Sequence, residues 1–150
     1  MPAIAGFKKA IELAFTSFNE NVAKMRQLRD QLFNGITSSI PHILVNGPLG
    51  DKRAPDNVNV SFLYVEGEAL TVELSLRGIY VSSGSTCTSR ILEPSHVLLA
   101  IGRKHEEAHG SILFKVTRYH TKEDIEYTVK QLEEAVERLR RISALKPESH

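Results

Sequence analysis

The chain has 150 residues, of which 41% are apolar and 25% charged, enough for one globular domain with a real core. Nineteen basic residues against eighteen acidic ones give a net charge of +1, so nothing in the balance argues for nucleic acid or an anionic membrane as partner. One cysteine excludes an internal disulfide and suits a reducing cytoplasm, no apolar run is long enough to span a bilayer, and the start does not have the charged-then-apolar order of a signal peptide.

In chain order, Ile4, Phe7, Ile11, Phe15, Phe18, Val22, Met25, Leu28 and Leu32 recur at steps of three and four. That spacing predicts one long amphipathic helix, with Pro2 in its first turn and Asn34-Gly35 as its stop. Its Phe and Met stripe is expected to be core packing. Turn signals at Pro41, Gly47-Pro48 and Gly50-Asp51 surround a short strand at Ile43-Leu44-Val45. Val58, Val60, Phe62 and Tyr64 alternate with Asn57, Asn59, Ser61 and Leu63, the pattern of a half-buried strand.

Gly67 to Arg77 reads as a short helix with Leu70 and Leu74 on one face, and Ile79-Tyr80-Val81 as a short strand. A helix opens at Glu93-Pro94-Ser95, runs through Ala100 and stops near Gly102. A further strand alternates Ile112, Phe114 and Val116 with Leu113, Lys115 and Thr117. Thr121-Lys122-Glu123-Asp124 resembles a capping box ahead of Ile125, Val129, Leu132, Val136, Leu139 and Ile142 at helical spacing. The tail, Lys146 to His150, is polar and is expected to fray. The fold class is α/β: a two-layer sandwich in which a long N-terminal helix and a C-terminal helix enclose a small, mostly antiparallel sheet.

The stretch Ser82 to Ser89 holds the only cysteine, Cys87, and its other seven residues are all Ser, Thr or Gly. Such a run has little apolar surface to offset the entropy of ordering, so it is expected to be mobile with the thiol open to solvent. A free cysteine is more often a small buried hydrophobe, but these neighbours are wrong for burial. A thiol in an accessible loop suits nucleophilic chemistry.

Ser-Ser-Gly-Ser-Thr-Cys-Thr-Ser at 82–89, followed by Leu92-Glu93-Pro94-Ser95, resembles the active-cysteine loop of pyridoxal-phosphate-dependent cysteine desulfurases of the iron–sulfur-assembly type. Pro2 to Phe7, Pro55 to Phe62, Val65 to Leu70, Ala108 to Ile112 and Arg118-Tyr119 resemble further segments of that family, in order. The resemblance covers nearly all of residues 1–150, read as a single domain like the C-terminal part of the family. It implies the small domain of an aminotransferase-like fold, with the large domain and its Schiff-base lysine lying outside this chain. It also implies that the N-terminal helix packs against both domains, so that part of its stripe lacks a cover here and the chain self-associates.

What the resemblance implies for chemistry is that Cys87 attacks the sulfur of a substrate cysteine held on pyridoxal phosphate and becomes a persulfide. The expected partners are the large domain, a sulfur acceptor such as an iron–sulfur scaffold, and a second copy of the chain, in the cytoplasm. The chain alone is expected to bind no pyridoxal phosphate tightly and to be inactive. One departure stands out. The family pattern Ser-Ile-Arg-Phe-Ser carries the arginine that clamps the substrate carboxylate, whereas this chain has Ser111-Ile112-Leu113-Phe114-Lys115. Leu113 cannot bind a carboxylate, and Lys115, two residues on along the same face, reads as a solvated strand residue. A non-catalytic sulfur-relay or protein-binding module that has lost substrate binding is therefore the alternative.

Two motifs compete. His105-Glu106-Glu107-Ala108-His109 matches H-E-x-x-H, the zinc peptidase signature. Gly102 and Gly110 confine it to a helix barely longer than the motif, so it is read as coincidence and no metal site is expected. Cys-x5-Arg, the phosphatase loop, fails because Glu93 stands at the arginine position. His42, His96, His120 and His150 are scattered and read as surface or core residues.

Overall fold

The computed structural model describes residues 1–84 and 94–144. Helices α1 (Pro2–Thr16) and α2 (Phe18–Ser39) lead to strand β1 (Ile43–Val45) and, after a 3-10 turn at Gly50–Lys52, to β2 (Asn57–Phe62). Helix α3 (Gly67–Ser75), β3 (Ser82–Ser83), α4 (His96–Ala100), α5 (His105–His109), β4 (Ser111–Lys115) and α6 (Lys122–Ile142) follow. The four strands form one sheet in the order β1-β2-β4-β3, antiparallel at each pairing. With helices on one side of a small antiparallel sheet, this is the two-layer α/β sandwich the sequence predicts.

Alternation builds the core. Val58, Val60 and Phe62 of β2 and Ile112 and Phe114 of β4 point to the helical layer and are buried. They meet Leu28, Leu32 and Ile36 of α2, Leu70 and Leu74 of α3, and Leu132, Ala135 and Val136 of α6 in one cluster. Each large side chain so buried contributes about 1.5–3 kcal/mol. Helix α6 is nucleated locally, since Thr121 Oγ1 accepts from the Asp124 amide at 3.2 Å and Asp124 Oδ2 accepts from the Thr121 amide at 2.8 Å. That is the capping box read from the sequence.

Four expectations need correction. The long N-terminal helix is two helices, because Ser17 sits at φ −119°, ψ 25°, outside helical geometry. Thr16 turns its hydroxyl back to the Glu12 carbonyl at 2.8 Å, a local bond that bends and weakens helices. The second helix does not stop at Asn34-Gly35 but runs on to Ser39. Gly35 is there for close packing: a Cβ at that position would meet Val129 Cγ2 of α6 at 2.6 Å.

The third correction concerns Tyr64. It does not continue β2, which ends at Phe62, and it takes a left-handed φ of 67°. The fourth is the strand expected at Ile79-Tyr80-Val81, which lies instead at Ser82–Ser83. These two serines are thus paired with β4, where mobility was expected; residues 85–93, with Cys87, lie outside the described residues, as do Lys146 to His150.

Candidate functional site

The sheet has a second face, and it is polar. Residues that alternate with the core positions share it: Asn57, Asn59 and Ser61 on β2, Ser111, Leu113 and Lys115 on β4, and Ser82 on β3. The register sets them in rows. Asn59 pairs with Leu113, which pairs in turn with Ser82, and the Asn46 amide donates to the Asn59 carbonyl at 3.0 Å. Asn46, just past the end of β1, therefore lines up with Asn59, Leu113 and Ser82 across the sheet. Asn57 and Lys115 form the next row, and Ser61 and Ser111 the row on the other side.

One end of this face is closed by a buried network. Asn46 Nδ2 donates to Asn59 Oδ1 at 2.7 Å and to Ser61 Oγ at 2.9 Å. Arg103 Nε donates to Asn46 Oδ1 at 2.7 Å, and its Nη2 donates to the Val45 carbonyl. Arg53 donates from Nε to the Pro48 carbonyl at 2.6 Å, from Nη1 to Asn57 Oδ1 at 3.1 Å, and from Nη2 to the Asn46 carbonyl. Burial, and then the like charge of Arg29, pull the Arg53 guanidinium below the usual arginine range. Arg29 itself is held by Asp30 Oδ1, at 2.8 Å from Nε and 2.7 Å from Nη2. This network escaped the sequence reading. Its signal is the run Asn57, Ser61 and Asn59 alternating with apolar strand residues: amides and hydroxyls on a covered face need partners.

The other end is more open. Leu113 is half-buried at the centre of its row, with no charge of its own to offer. Lys115 is exposed, and its ammonium group bonds Asp56 Oδ2 at 2.7 Å. Its charge is therefore already matched, in keeping with its reading as a solvated strand residue. Ser82 leads, through Ser83 and Gly84, into the segment that holds Cys87, so the chain enters that segment from the sheet edge beside Leu113.

The histidines stay apart. His105 and His109 bound α5, a helix of five residues, and both are exposed. Among the described residues no three His, Cys, Asp or Glu side chains stand together as metal ligands would. His42 takes φ 54° and sets its ring edge-on to Tyr64, centroids 5.9 Å apart. His120 Nδ1 accepts from the Thr117 amide at 2.9 Å, and His96 opens α4 on the surface. No helix among the described residues is long and apolar enough to cross a membrane.

Residues 1–128 match the family model for class-V aminotransferases. A cysteine desulfurase IscS of Archaeoglobus fulgidus is 43% identical over 97% of this chain, and one of Dictyoglomus turgidum is 46% identical over 97%. The chain spans 37% and 36% of those two relatives. Among solved structures, a NifS-like protein of Rickettsia africae superposes with a TM-score of 0.76 at 28% identity, over 90% of this chain and 34% of that one.

Pyridoxal phosphate, which such enzymes use, is held through a lysine amine inside a pocket. Lys115 lines one of the described clefts but does not fit that role, since its amine is committed to Asp56.

Proposed function

Because the chain belongs to the class-V aminotransferase family, we propose that it is the sulfur-accepting part of a cysteine desulfurase, with Cys87 as the nucleophile. One observation carries this reading. Desulfurases match this chain over nearly its whole length, and it has a single cysteine, in the Ser/Thr/Gly segment. In this reading pyridoxal phosphate would be held by a large domain that the described residues do not provide, and would supply the chemistry that weakens the carbon–sulfur bond of cysteine. This chain contributes the thiolate. It takes up one sulfur atom as a persulfide and hands it to an acceptor such as an iron–sulfur scaffold.

A second reading has its own observation. Leu113 occupies the centre of the open face, Lys115 is matched by Asp56, and Arg103 is engaged by Asn46 and the Val45 carbonyl. No free cation among these three is left for a substrate carboxylate. That favours a sulfur relay, which needs the cysteine but not the clamp.

A small persulfide donor tests the part common to both readings. The Cys87 thiolate attacks the terminal sulfur of R–S–SH; the R–S–S bond breaks, R–SH leaves, and Cys87 keeps the sulfur as a persulfide. Mass spectrometry of the full chain should show a gain of one sulfur atom, reversed by a thiol reductant and absent in Cys87→Ser. A chain that gains no sulfur, or gains it equally in Cys87→Ser, overturns the proposal. Free L-cysteine with added pyridoxal phosphate should yield no alanine from this chain alone. Adding the large domain of a desulfurase separates the readings, since only the catalytic one then produces alanine.

A further inference from the structure

The sequence Ile79-Tyr80-Val81 has the composition of a strand, yet only Ser82 and Ser83 are paired. The register of that short ladder, Ser82 with Leu113 and Ser83 with Ile112, extrapolates to Val81 with Phe114, Tyr80 with Lys115 and Ile79 with Val116. A cleft of about 390 Å³ is lined by these same residues, Ile79, Tyr80 and Val81 together with Phe114, Lys115 and Val116. The side chains are already in phase for pairing. Ile79 and Val81 rest against the core, while Tyr80 points away and is 84% exposed.

The facing edge of β4 is ready to be paired. In an antiparallel ladder, alternate residues turn their N–H and C=O to opposite edges. Val116 donates its N–H to the Asp56 carbonyl at 2.8 Å, so Val116 and Phe114 face β2 and Lys115 turns its backbone groups outward. The β3–β4 ladder stops at Leu113, one step short of them. The segment is anchored at its other end. Helix α3 closes on Gly78, at φ 77°, with the Ile79 amide bonded to the Leu74 carbonyl at 2.9 Å. Just before it, the Tyr127 hydroxyl of α6 donates to the Arg77 carbonyl at 3.1 Å, and Arg77 Nη1 reaches Gln131 Oε1 at 3.0 Å and Glu134 Oε2 at 3.1 Å.

We propose that residues 79–81 are the second half of a strand that zips onto and off β4, with the Tyr127–Arg77 contact as the latch that holds it off. In the open form the latch is made, Tyr80 is exposed and the cleft is present. In the closed form Tyr80 bonds the outward backbone groups of Lys115, and β3 lengthens from two paired residues to five. The strand leads directly into the segment that contains Cys87, so the zipper sets how much stiff strand precedes it. The device depends on no pyridoxal or sulfur chemistry and stands or falls apart from the proposed function.

Cross-linking in the full chain tests it. In the closed form the Tyr80 and Lys115 Cα atoms come to about 5.5 Å, within disulfide range. Tyr80→Cys with Lys115→Cys, in a Cys87→Ser background, should close to a disulfide under mild oxidation. Tyr80→Cys with Leu113→Cys, out of register, should not. Tyr127→Phe should raise the rate of the in-register cross-link several-fold and slow hydrogen exchange at the Lys115 amide by a similar factor. Equal cross-linking of the two pairs, no cross-link at all, or no response to Tyr127→Phe would overturn the proposal. Should the cysteine pair fail to fold, exchange at Lys115 in the unsubstituted chain decides: protection supports the zipper, and a free-peptide rate overturns it.

Discussion

Helices α1 and α2 carry one continuous apolar stripe and have opposite fates. Leu28, Leu32 and Ile36 of α2 are buried at 3% exposure or less, while α1 has no buried residue and Phe7 and Phe15 are 69% and 78% exposed. Helical periodicity reports which side of a helix is apolar; it does not say whether a partner is present. Packing against α6 makes the difference. Where α2 crosses α6, Gly35 lets Val129 come close, and nothing described packs on α1 in the same way.

The sharpest test of this contrast is truncation on either side of Ser17. Leu32→Ala should lose about 2–5 kcal/mol of stability in denaturant unfolding, because it leaves a cavity in the centre of the core. Gly35→Ala should lose about 1–3 kcal/mol, since the added methyl overlaps Val129 and outweighs the gain of alanine in a helix. A stabilised Gly35→Ala protein would mean that α2 and α6 can move apart at no cost.

Capping separates the helices in a second way. Helix α6 opens on the Thr121 box, whereas α1 opens on Met1 without a side-chain cap. Thr121→Ala should therefore cost about 1 kcal/mol, read as a lower thermal midpoint. Acid should act in the same direction. Glu123 is held below the ordinary carboxylate range by a hydrogen bond from its own backbone and then by the Thr121 side chain. A carboxylate depressed in the folded state adds stability above its unfolded pKa, and that stability is lost as pH falls through the folded one. Thr121→Ala should flatten this acid dependence.

The smallest expected effect falls on α1. Phe7→Ser with Phe15→Ser should change the unfolding free energy by no more than about 0.5 kcal/mol, the range for surface substitutions. Sedimentation should nevertheless move toward a smaller species, because an exposed apolar stripe of this kind drives association. A large loss of stability would show that α1 is covered after all.

Much of this architecture is legible in the residues, and the exceptions have physical causes. The core positions of β2, β4, α3 and α6 follow from alternation and helical spacing, because burial enforces period. The boundaries that differ turn on contacts between distant segments. Gly35 looks like a helix stop until Val129, 94 positions on, is beside it. The break at Ser17, at φ −119° and ψ 25°, falls where no Gly or Pro marks it in the sequence. Leu113 is legible as a departure from the desulfurase pattern, but only the register shows it in line with Asn46, Asn59 and Ser82. Asn46 and Arg103 carry no local signal, since a buried hydrogen-bond network is a property of three dimensions.

The strand order has a consequence for how the chain finds its fold. Strands β1 and β2 pair across a connection of about a dozen residues, but β2 and β4 join residues as far apart as Asn57 and Lys115. The central seam of the sheet thus closes the largest loop, and loop closure costs entropy before its contacts repay it. Folding should be slower than for a helical bundle of this size, with the β1–β2 hairpin formed early and the β2–β4 seam late. Until that seam forms, the inner edge of β2 is an unpaired row of donors and acceptors, and the folding chain is then at its most vulnerable to pairing with another copy of itself.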